Sequence, residues 1–243
     1  MAGVFVALNV DRTTWIALIL AALVPTLIAY FGASSTLVEL LAGQGWFAWL
    51  RVHEPALYEF YRRLWWIGFG VLAYLGLPAL VIWVSGARLR EYGVKLPSDY
   101  RHLWIYGGLL AAVVPIAWWA SYQDSFLAVY PYFDHWHEAP WLFALFWIGR
   151  IVRFFALEFF FRGYLIFALR PRFGDAAVLV SMVPYCMIHF GKPLPETLFA
   201  IVGGIIFGMI ALRTGSILGA VVLHVGLAAS MDAFAIAQRL GWL

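Results

Sequence analysis

The chain has 243 residues, of which 64% are hydrophobic and only 12% are charged. Soluble domains carry roughly 25% charged residues, so this composition excludes an ordinary soluble protein and indicates an integral membrane protein. The net charge of +3 comes from basic residues that lie mostly between apolar segments, as in membrane proteins generally, and it does not indicate a nucleic-acid partner. The single cysteine, Cys186, excludes an intramolecular disulfide and a cysteine-based metal cluster.

Seven apolar stretches approach or exceed the roughly 20 residues that a membrane helix needs. They are the predicted spans 13–32, 64–84, 103–121, 141–169, 175–190, 196–213 and 215–238. Each is predicted to be helical, because an isolated strand cannot satisfy its backbone hydrogen bonds in lipid. We therefore predict an all-α fold, a polytopic membrane helix bundle of about seven (six to eight) transmembrane helices, within a single integral membrane domain, 1–243.

Two segments near the N-terminus differ in their predicted relation to the membrane. The first span is too long for a signal peptide and lacks a small-residue cleavage site, so it is predicted to be retained. The stretch 35–60 mixes aromatic residues with charged ones and predicts an interfacial helix, with an eighth span as the alternative.

The basic residues of the loops predict the orientation in the membrane. Arg88, Arg90 and Lys95 lie between spans two and three, whereas 122–140 contains acidic residues but no lysine or arginine. The positive-inside rule then places the former loop in the cytoplasm, the latter outside, and the N-terminus inside. The abundance of arginine over lysine and of tryptophan suggests a bacterial inner (plasma) membrane.

Ionisable residues at membrane depth are costly unless they face protein or water, so each one suggests a functional site. The candidates on or beside the predicted spans are Arg150, Arg153, Glu158, Arg162, His189, Lys192, Glu196, His224 and Asp232.

Glu158 and Arg162 are four residues apart in LEFFFRG, a spacing that places both on one helix face within pairing distance. One interpretation is a self-neutralised pair that anchors the span. The other is that Arg162 holds Glu158 ionised, so that Glu158 acts as a general base on water inside the bundle.

Possible partners for acid–base chemistry lie on other spans. His189 ends span five, where Pro193 and Pro195 interrupt the helix and imply a protein-lined or wet cavity. Glu196 lies in the first turn of the next helix, where a carboxylate is also favoured by the helix dipole alone. His224 and Asp232 share span seven, two turns apart.

Three motifs together resemble a known family. LEFFFRG, YCMIH and RTGSILGAVVLH occur in this order and resemble the Glu-Glu-x-x-x-Arg, Phe-x-x-x-His and His-x-x-x-Asn motifs of the CPBP (ABI) intramembrane proteases. That family includes the type II CAAX prenyl endopeptidases. The resemblance covers about residues 141–232. By this resemblance, residues 141–238 are predicted to form the catalytic core of the family.

The chain departs from the family motifs at three positions. Leu157 stands where the family has the glutamate that activates water, and Glu158 matches the second glutamate of the pair. Tyr185 replaces a phenylalanine, and Ala228 replaces the asparagine that helps to stabilise the oxyanion in the family. Asp232 is one candidate to compensate for that asparagine, and Glu196 is another.

The resemblance implies an intramembrane glutamic-type endopeptidase that cleaves a membrane-embedded or lipid-anchored protein or peptide. In this interpretation Glu158, or else Glu196, activates water together with His189, His224 stabilises the oxyanion, and Arg162 holds the base. A lipid-anchored substrate C-terminus would require the cavity to be open to the cytoplasmic side.

Other hypotheses belong to different classes. The site is expected to need no cofactor, and the alternative is a zinc protease with Glu158, His189, His224 and Asp232 as ligands. Leu157 and Ala228 also fit a catalytically inactive family member that acts as a membrane scaffold or immunity factor. A transporter is less consistent with the sequence, because no internal repeat is found.

Overall fold

The computed structural model describes residues 10–97 and 103–243, and the described part is helical with no strand. Ten α-helices follow one another within these residues, two of them with an internal π-helical turn. They are α1 (Arg12–Phe31), α2 (Ser34–Leu40), α3 (Gly45–His53), α4 (Pro55–Val84), α5 (Leu103–Ala120), α6 (Asp124–Leu127), α7 (140–173), α8 (Ala177–Met187), α9 (Leu194–Thr214) and α10 (Leu218–Arg239). The all-α membrane bundle predicted from the sequence is confirmed.

Local sequence signals set most of the helix boundaries. Asp11 caps α1, since its carboxylate accepts a hydrogen bond from the Thr14 amide at 2.9 Å. Proline occupies the first turn of α4, α7 and α9, where its missing amide proton costs no hydrogen bond. Gly215 ends α9 in the left-handed conformation, with φ of 63°, that glycine adopts without strain.

In the described part of the chain, four helices are long and apolar enough to cross a membrane, namely α1, α4, α9 and α10, and α5 contributes a shorter apolar helix. α7 is longer still but contains four buried charged residues. α8 has only 11 residues, which corresponds to about 16 Å and is too short to cross alone. Large apolar side chains such as Trp83 and Ile148 are exposed on the outer faces, as expected for surfaces in contact with lipid.

The stretch 35–60 is divided among short helices, so the eighth span is wrong, whereas its interfacial position stays a prediction. It forms the short helices α2 and α3, of 7 and 9 residues, and the first turns of α4. Neither short helix is long enough to provide an eighth span. Glu59, at the start of α4, is buried and accepts hydrogen bonds from the Asp134 and His135 amides and contacts His135 Nδ1 at 2.8 Å. The loop 128–139 is therefore fastened to α4 through one carboxylate.

Two helices contain a π-helical turn within otherwise regular α-helix. In α4 the turn is Leu72–Gly76, and in α7 it is Phe159–Leu165, directly after Glu158. The second turn is entirely buried. Gly163 is required there, because a Cβ at this position would lie 2.6 Å from the carbonyl oxygen of Tyr92. Such turns are frequent at functional sites.

The bundle has two chemically different ends. At one end Ile217 donates its amide proton to the carbonyl of Gly93, so the loop 86–97 lies beside the turn between α9 and α10. At the other end Gln238, on α10, contacts Ser121, and Arg239 donates to the Leu127 carbonyl. We call the first the basic end, because it includes the basic loop 88–95, and the second the loop end, because it includes 121–139.

Candidate active site

A cavity of about 450 Å³ lies among α1, α4, α5, α7, α8, α9 and α10. Residues of the loop 121–139 and of the turn 188–193 contribute to its wall, so it lies toward the loop end. With the orientation predicted by the basic loops, this is the exterior side, whereas a lipid-anchored C-terminal substrate implies access from the cytoplasm. The predicted orientation and the predicted cytoplasmic access therefore do not fit together.

Glu158 lies immediately behind the cavity wall and does not line it. Its side chain is completely buried, and its two oxygens face different partners. Oε1 lies 2.6 Å from Nδ1 of His224, and Oε2 lies 3.1 Å from Nε of Arg162. The contact with Arg162 is an ion pair and not a hydrogen bond, because its geometry leaves both Oε2 of Glu158 and Nε of Arg162 without a hydrogen-bonding partner. Both oxygens are thus committed to side chains of the bundle.

Arg162 is held in place by its surroundings. It is buried within the π-helical turn of α7, and its guanidinium lies 3.7 Å from the centre of the Tyr185 ring. This stacking uses the tyrosine that stands in place of the family's phenylalanine, so the substitution keeps an aromatic face against the arginine. The pair predicted by the spacing of Glu158 and Arg162 is present.

His224 connects the ion pair of Glu158 and Arg162 to the cavity. A carboxylate can only accept a hydrogen bond, so Nδ1 of His224 carries the proton in that contact and Nε2 is the free nitrogen of a neutral ring. Phe154 of α7 packs against the imidazole with ring centres 4.3 Å apart. The ring is therefore fixed in orientation and tautomer, with a carboxylate on one side and the cavity on the other.

His189 lines the same cavity from the turn after α8. Its Nδ1 lies 2.9 Å from the backbone carbonyl oxygen of Tyr185, which fixes the proton on Nδ1 and leaves Nε2 as an acceptor. The proline-rich turn is stabilised by Thr197, whose hydroxyl donates to the carbonyl of His189 at 2.9 Å. The cavity beside this interrupted helix, expected from the prolines, is present.

Glu196 also lines the cavity, nearer the loop end. Its carboxylate accepts a hydrogen bond from the Tyr130 hydroxyl at 3.0 Å and lies 3.4 Å from Nζ of Lys192. Lys192 in turn donates to the Tyr130 oxygen at 3.0 Å. Tyr130 lies in the loop outside the membrane-spanning helices, and burial together with the nearby Glu196 carboxylate raises its pKa well above 10.

Asp232 is buried and has a different environment from the two histidines. Its carboxylate contacts Arg150 of α7 and accepts a hydrogen bond from the Tyr132 amide at 3.1 Å. It joins α10, α7 and the loop 121–139, and it does not line the cavity. The compensation for the family asparagine that the sequence suggests for Asp232 therefore has no support in this geometry.

The zinc alternative also lacks support from the arrangement of side chains. Within the parts of the chain that the structure describes, no group of three or more His, Cys, Asp or Glu side chains is placed to hold a metal ion. The four proposed ligands are separated by their own contacts, since Arg150 binds Asp232 and Arg162 with His224 occupies Glu158.

All three positions that depart from the family motifs, Leu157, Tyr185 and Ala228, lie in the cavity wall. Leu157 is 4% exposed and Ala228 is 5% exposed, and each contributes apolar surface to the cavity. The carboxylate of Glu158, one residue farther along the helix, points away because neighbouring helical side chains differ by about 100° in direction. Glu158 therefore does not contribute to the cavity wall.

One contributor to the cavity was not singled out as a site residue from the sequence. Tyr130 lies 66 residues from Glu196 along the chain, and no motif connects the two. Only the acidic, aromatic character of the loop 122–140 distinguishes it in the sequence.

One family model matches the C-terminal part of the chain. Residues 139–230 match the family model described as Type II CAAX prenyl endopeptidase Rce1-like. Comparisons with curated proteins and with solved structures give no match. The match spans all three motifs and the helices α7 to α10 that surround the histidines. Over this segment the chain is similar to the type II CAAX prenyl endopeptidases.

Proposed function

We propose that this protein is an intramembrane endopeptidase that cleaves a membrane-embedded or lipid-anchored protein or peptide. The observation that supports this proposal is the contact of Glu158 with His224, which holds one histidine at the wall of a cavity that a second histidine, His189, also lines. The family match is consistent with a peptidase of the CAAX type.

The geometry favours His224 as the base. Its free Nε2 accepts a proton from water, and the resulting hydroxide attacks the carbonyl carbon of the scissile peptide bond. Glu158 compensates the positive charge that develops on the ring, as the carboxylate does in a serine-protease triad. His224 then returns the proton to the amide nitrogen as the C–N bond breaks. The products are an amine and a carboxylic acid, and the acid releases the second hydrogen of the water to solvent as it ionises.

The other residues have supporting roles. Nε2 of His189 accepts the second hydrogen of the water and orients it, while Arg162 keeps Glu158 ionised and fixed. The glutamate of this mechanism acts on the histidine and not on water. This differs from the roles that the resemblance implies, because Glu158 is buried behind His224 and its oxygens are both engaged.

The test compares new protein termini in membranes of cells that express the native chain and its variants at equal levels. We expect termini that are present with the native chain to disappear with His224→Gln and Glu158→Gln. His137→Gln is the matched control, since His137 is an exposed histidine of the loop. Termini that persist unchanged in His224→Gln would contradict the proposal.

A second candidate is a catalytically inactive family member that binds a membrane partner. It is favoured by one observation, namely that Leu157 and Ala228 make the cavity wall apolar where the family has a carboxylate and an amide. This candidate predicts identical termini in all variants, together with a phenotype that survives His224→Gln.

A further inference from the structure

Most charged side chains in or beside the cavity are neutralised by a partner of opposite charge. Three such ion pairs are present, each with one basic and one acidic member. They are Arg150 with Asp232, Arg162 with Glu158, and Lys192 with Glu196. Because each pair sums to zero, these six residues leave the cavity without net charge when the histidines are neutral.

Arg153 is the exception among the cavity-lining cations. Its side chain lines the cavity and is only 5% exposed. Within residues 10–97 and 103–243, the structure shows no carboxylate within 4 Å of its guanidinium. The acceptor that contacts it is the backbone carbonyl of Trp66, 3.2 Å from Nε, and a carbonyl carries no net charge.

The guanidinium of Arg153 packs closely against α4. It lies 3.7 Å from the centre of the Trp66 ring and 5.5 Å from that of Tyr74. Gly70 leaves the space for it, since a Cβ at this position would lie 2.5 Å from Nε of Arg153. The planar group is thus held by stacking, by the hydrogen bond from Nε and by the neighbouring Tyr74 hydroxyl. Its Nη1 and Nη2 atoms carry four N–H groups, more than one hydroxyl can accept, so donors remain for a further acceptor.

A buried cation without a counter-charge is costly, and stacking on an aromatic ring offsets only part of that cost. An oxyanion is the natural complement, because its oxygens match the fork of the guanidinium and form charge-assisted hydrogen bonds. A ligand that brings one negative charge into the cavity would supply the missing counter-charge.

The remaining walls indicate what carries that charge. Arg150, Arg153, Phe154 and Leu157 form one face of α7, at helical spacing. The opposite walls are apolar, with Val113, Ile116, Phe199 and Leu227 from α5, α9 and α10. Apolar walls of this kind suit a hydrocarbon chain, because such a chain needs no hydrogen-bonding partner.

We propose that the cavity binds an anionic lipid-like amphiphile, with its phosphate or carboxylate head group on Arg153 and its chain along the apolar walls. This site does not depend on the catalytic proposal, since an inactive family member would hold the same ligand.

The test uses the full-length protein in dodecyl maltoside micelles, with dodecyl phosphate as the probe and native mass spectrometry to measure its retention. We expect at least tenfold weaker binding for Arg153→Gln than for the native chain. Arg90→Gln removes an exposed positive charge at the basic end and should bind within twofold of the native chain. Dodecylphosphocholine, which has no net charge, should bind weakly to all three proteins.

A second variant and two further probes test whether a loss of binding reflects misfolding and which class of ligand binds. If Arg153→Gln does not fold, Gly70→Ala displaces the guanidinium while its charge is kept, and it should also weaken dodecyl phosphate binding. Equal binding of dodecyl phosphate to the native chain and to folded Arg153→Gln would overturn the proposal. Tighter Arg153-dependent binding of inorganic phosphate, or of acetyl-trileucine with its free carboxylate, would also overturn it, in favour of a free anion or a peptide.

Discussion

Two glutamates near the cavity are built into similar clusters but differ in their access to it. Glu158 lies between Arg162 and His224, and Glu196 lies between Lys192 and Tyr130, so each has one basic partner and one further donor. Glu158 is completely buried behind the wall, whereas the side chain of Glu196 is 21% exposed and forms part of the wall. A carboxylate without access to water can orient a neighbouring group but cannot act on water directly.

The different roles of Glu158 and Glu196 are tested most strongly by replacing each glutamate with glutamine. Glu158→Gln keeps the shape but removes the charge that supports His224, so we expect proteolytic activity to fall by about 10³-fold or more. Glu196→Gln should change activity by only a few-fold, because its contacts lie with Tyr130 and Lys192. The measurement is the rate of appearance of the new termini.

A folding control is needed for this exchange, because a neutral residue at position 158 leaves Arg162 without its buried counter-charge. Helical circular dichroism and the thermal unfolding midpoint in micelles should show that Glu158→Gln is folded at the assay temperature. A larger loss of activity in folded Glu196→Gln than in folded Glu158→Gln would reverse the roles of the two carboxylates.

The next prediction concerns the wall position that lacks a donor. Ala228→Asn places an amide where the family has its oxyanion-stabilising residue, and one such donor is worth about 10²-fold in rate. We expect the rate of cleavage to rise by about 10- to 100-fold, with the dependence on His224 unchanged. Val222, on the exposed face of the same helix, provides the matched control as Val222→Asn. An unchanged rate in Ala228→Asn would mean that another group already stabilises the oxyanion.

A smaller effect is expected where the site is supported by helix packing. Gly204 of α9 faces α8, and a Cβ there would lie 2.9 Å from Cγ of Met182. Gly204→Ala should destabilise the protein by about 1 to 3 kcal/mol, because the extra methyl group forces α8 and α9 apart. Gly203→Ala meets no atom within 4 Å and should be neutral or slightly stabilising. Thermal unfolding midpoints of the two variants distinguish these outcomes, and equal midpoints would contradict close packing at Gly204.

The sequence predicted the parts of the site that depend on local periodicity. Helical spacing placed Glu158 beside Arg162, and the prolines after His189 predicted an interrupted helix beside a cavity, both as found. The seven main helices also follow directly from apolar runs, because lipid leaves the backbone no other regular structure.

The remaining features depend on contacts that are distant in sequence. Nothing in the local pattern shows that Asp232 pairs with Arg150, 82 residues away, or that Glu59 holds the loop near His135. The π-helical turn after Glu158 was not predicted either, because its residues are as apolar as those of a regular helix. These features arise from tertiary packing, which sets the direction of each side chain.

The smallest expected effect concerns Tyr130, which ties the Glu196 cluster to the loop. Tyr130→Phe removes the hydrogen bond to Glu196 and should lower the free energy of unfolding by about 1 kcal/mol at neutral pH. In the native chain the pKa of Tyr130 is raised well above 10 by burial and by Glu196, so the folded state keeps its proton where the unfolded state loses it. Stability from this group is therefore complete below pH 10 and decreases as the pH rises above 10. Tyr130→Phe should make that decrease shallower between pH 9 and 11, whereas Tyr122→Phe, at an exposed position, should leave it unchanged. Parallel pH profiles for the native chain and Tyr130→Phe would show that Tyr130 is not the group responsible.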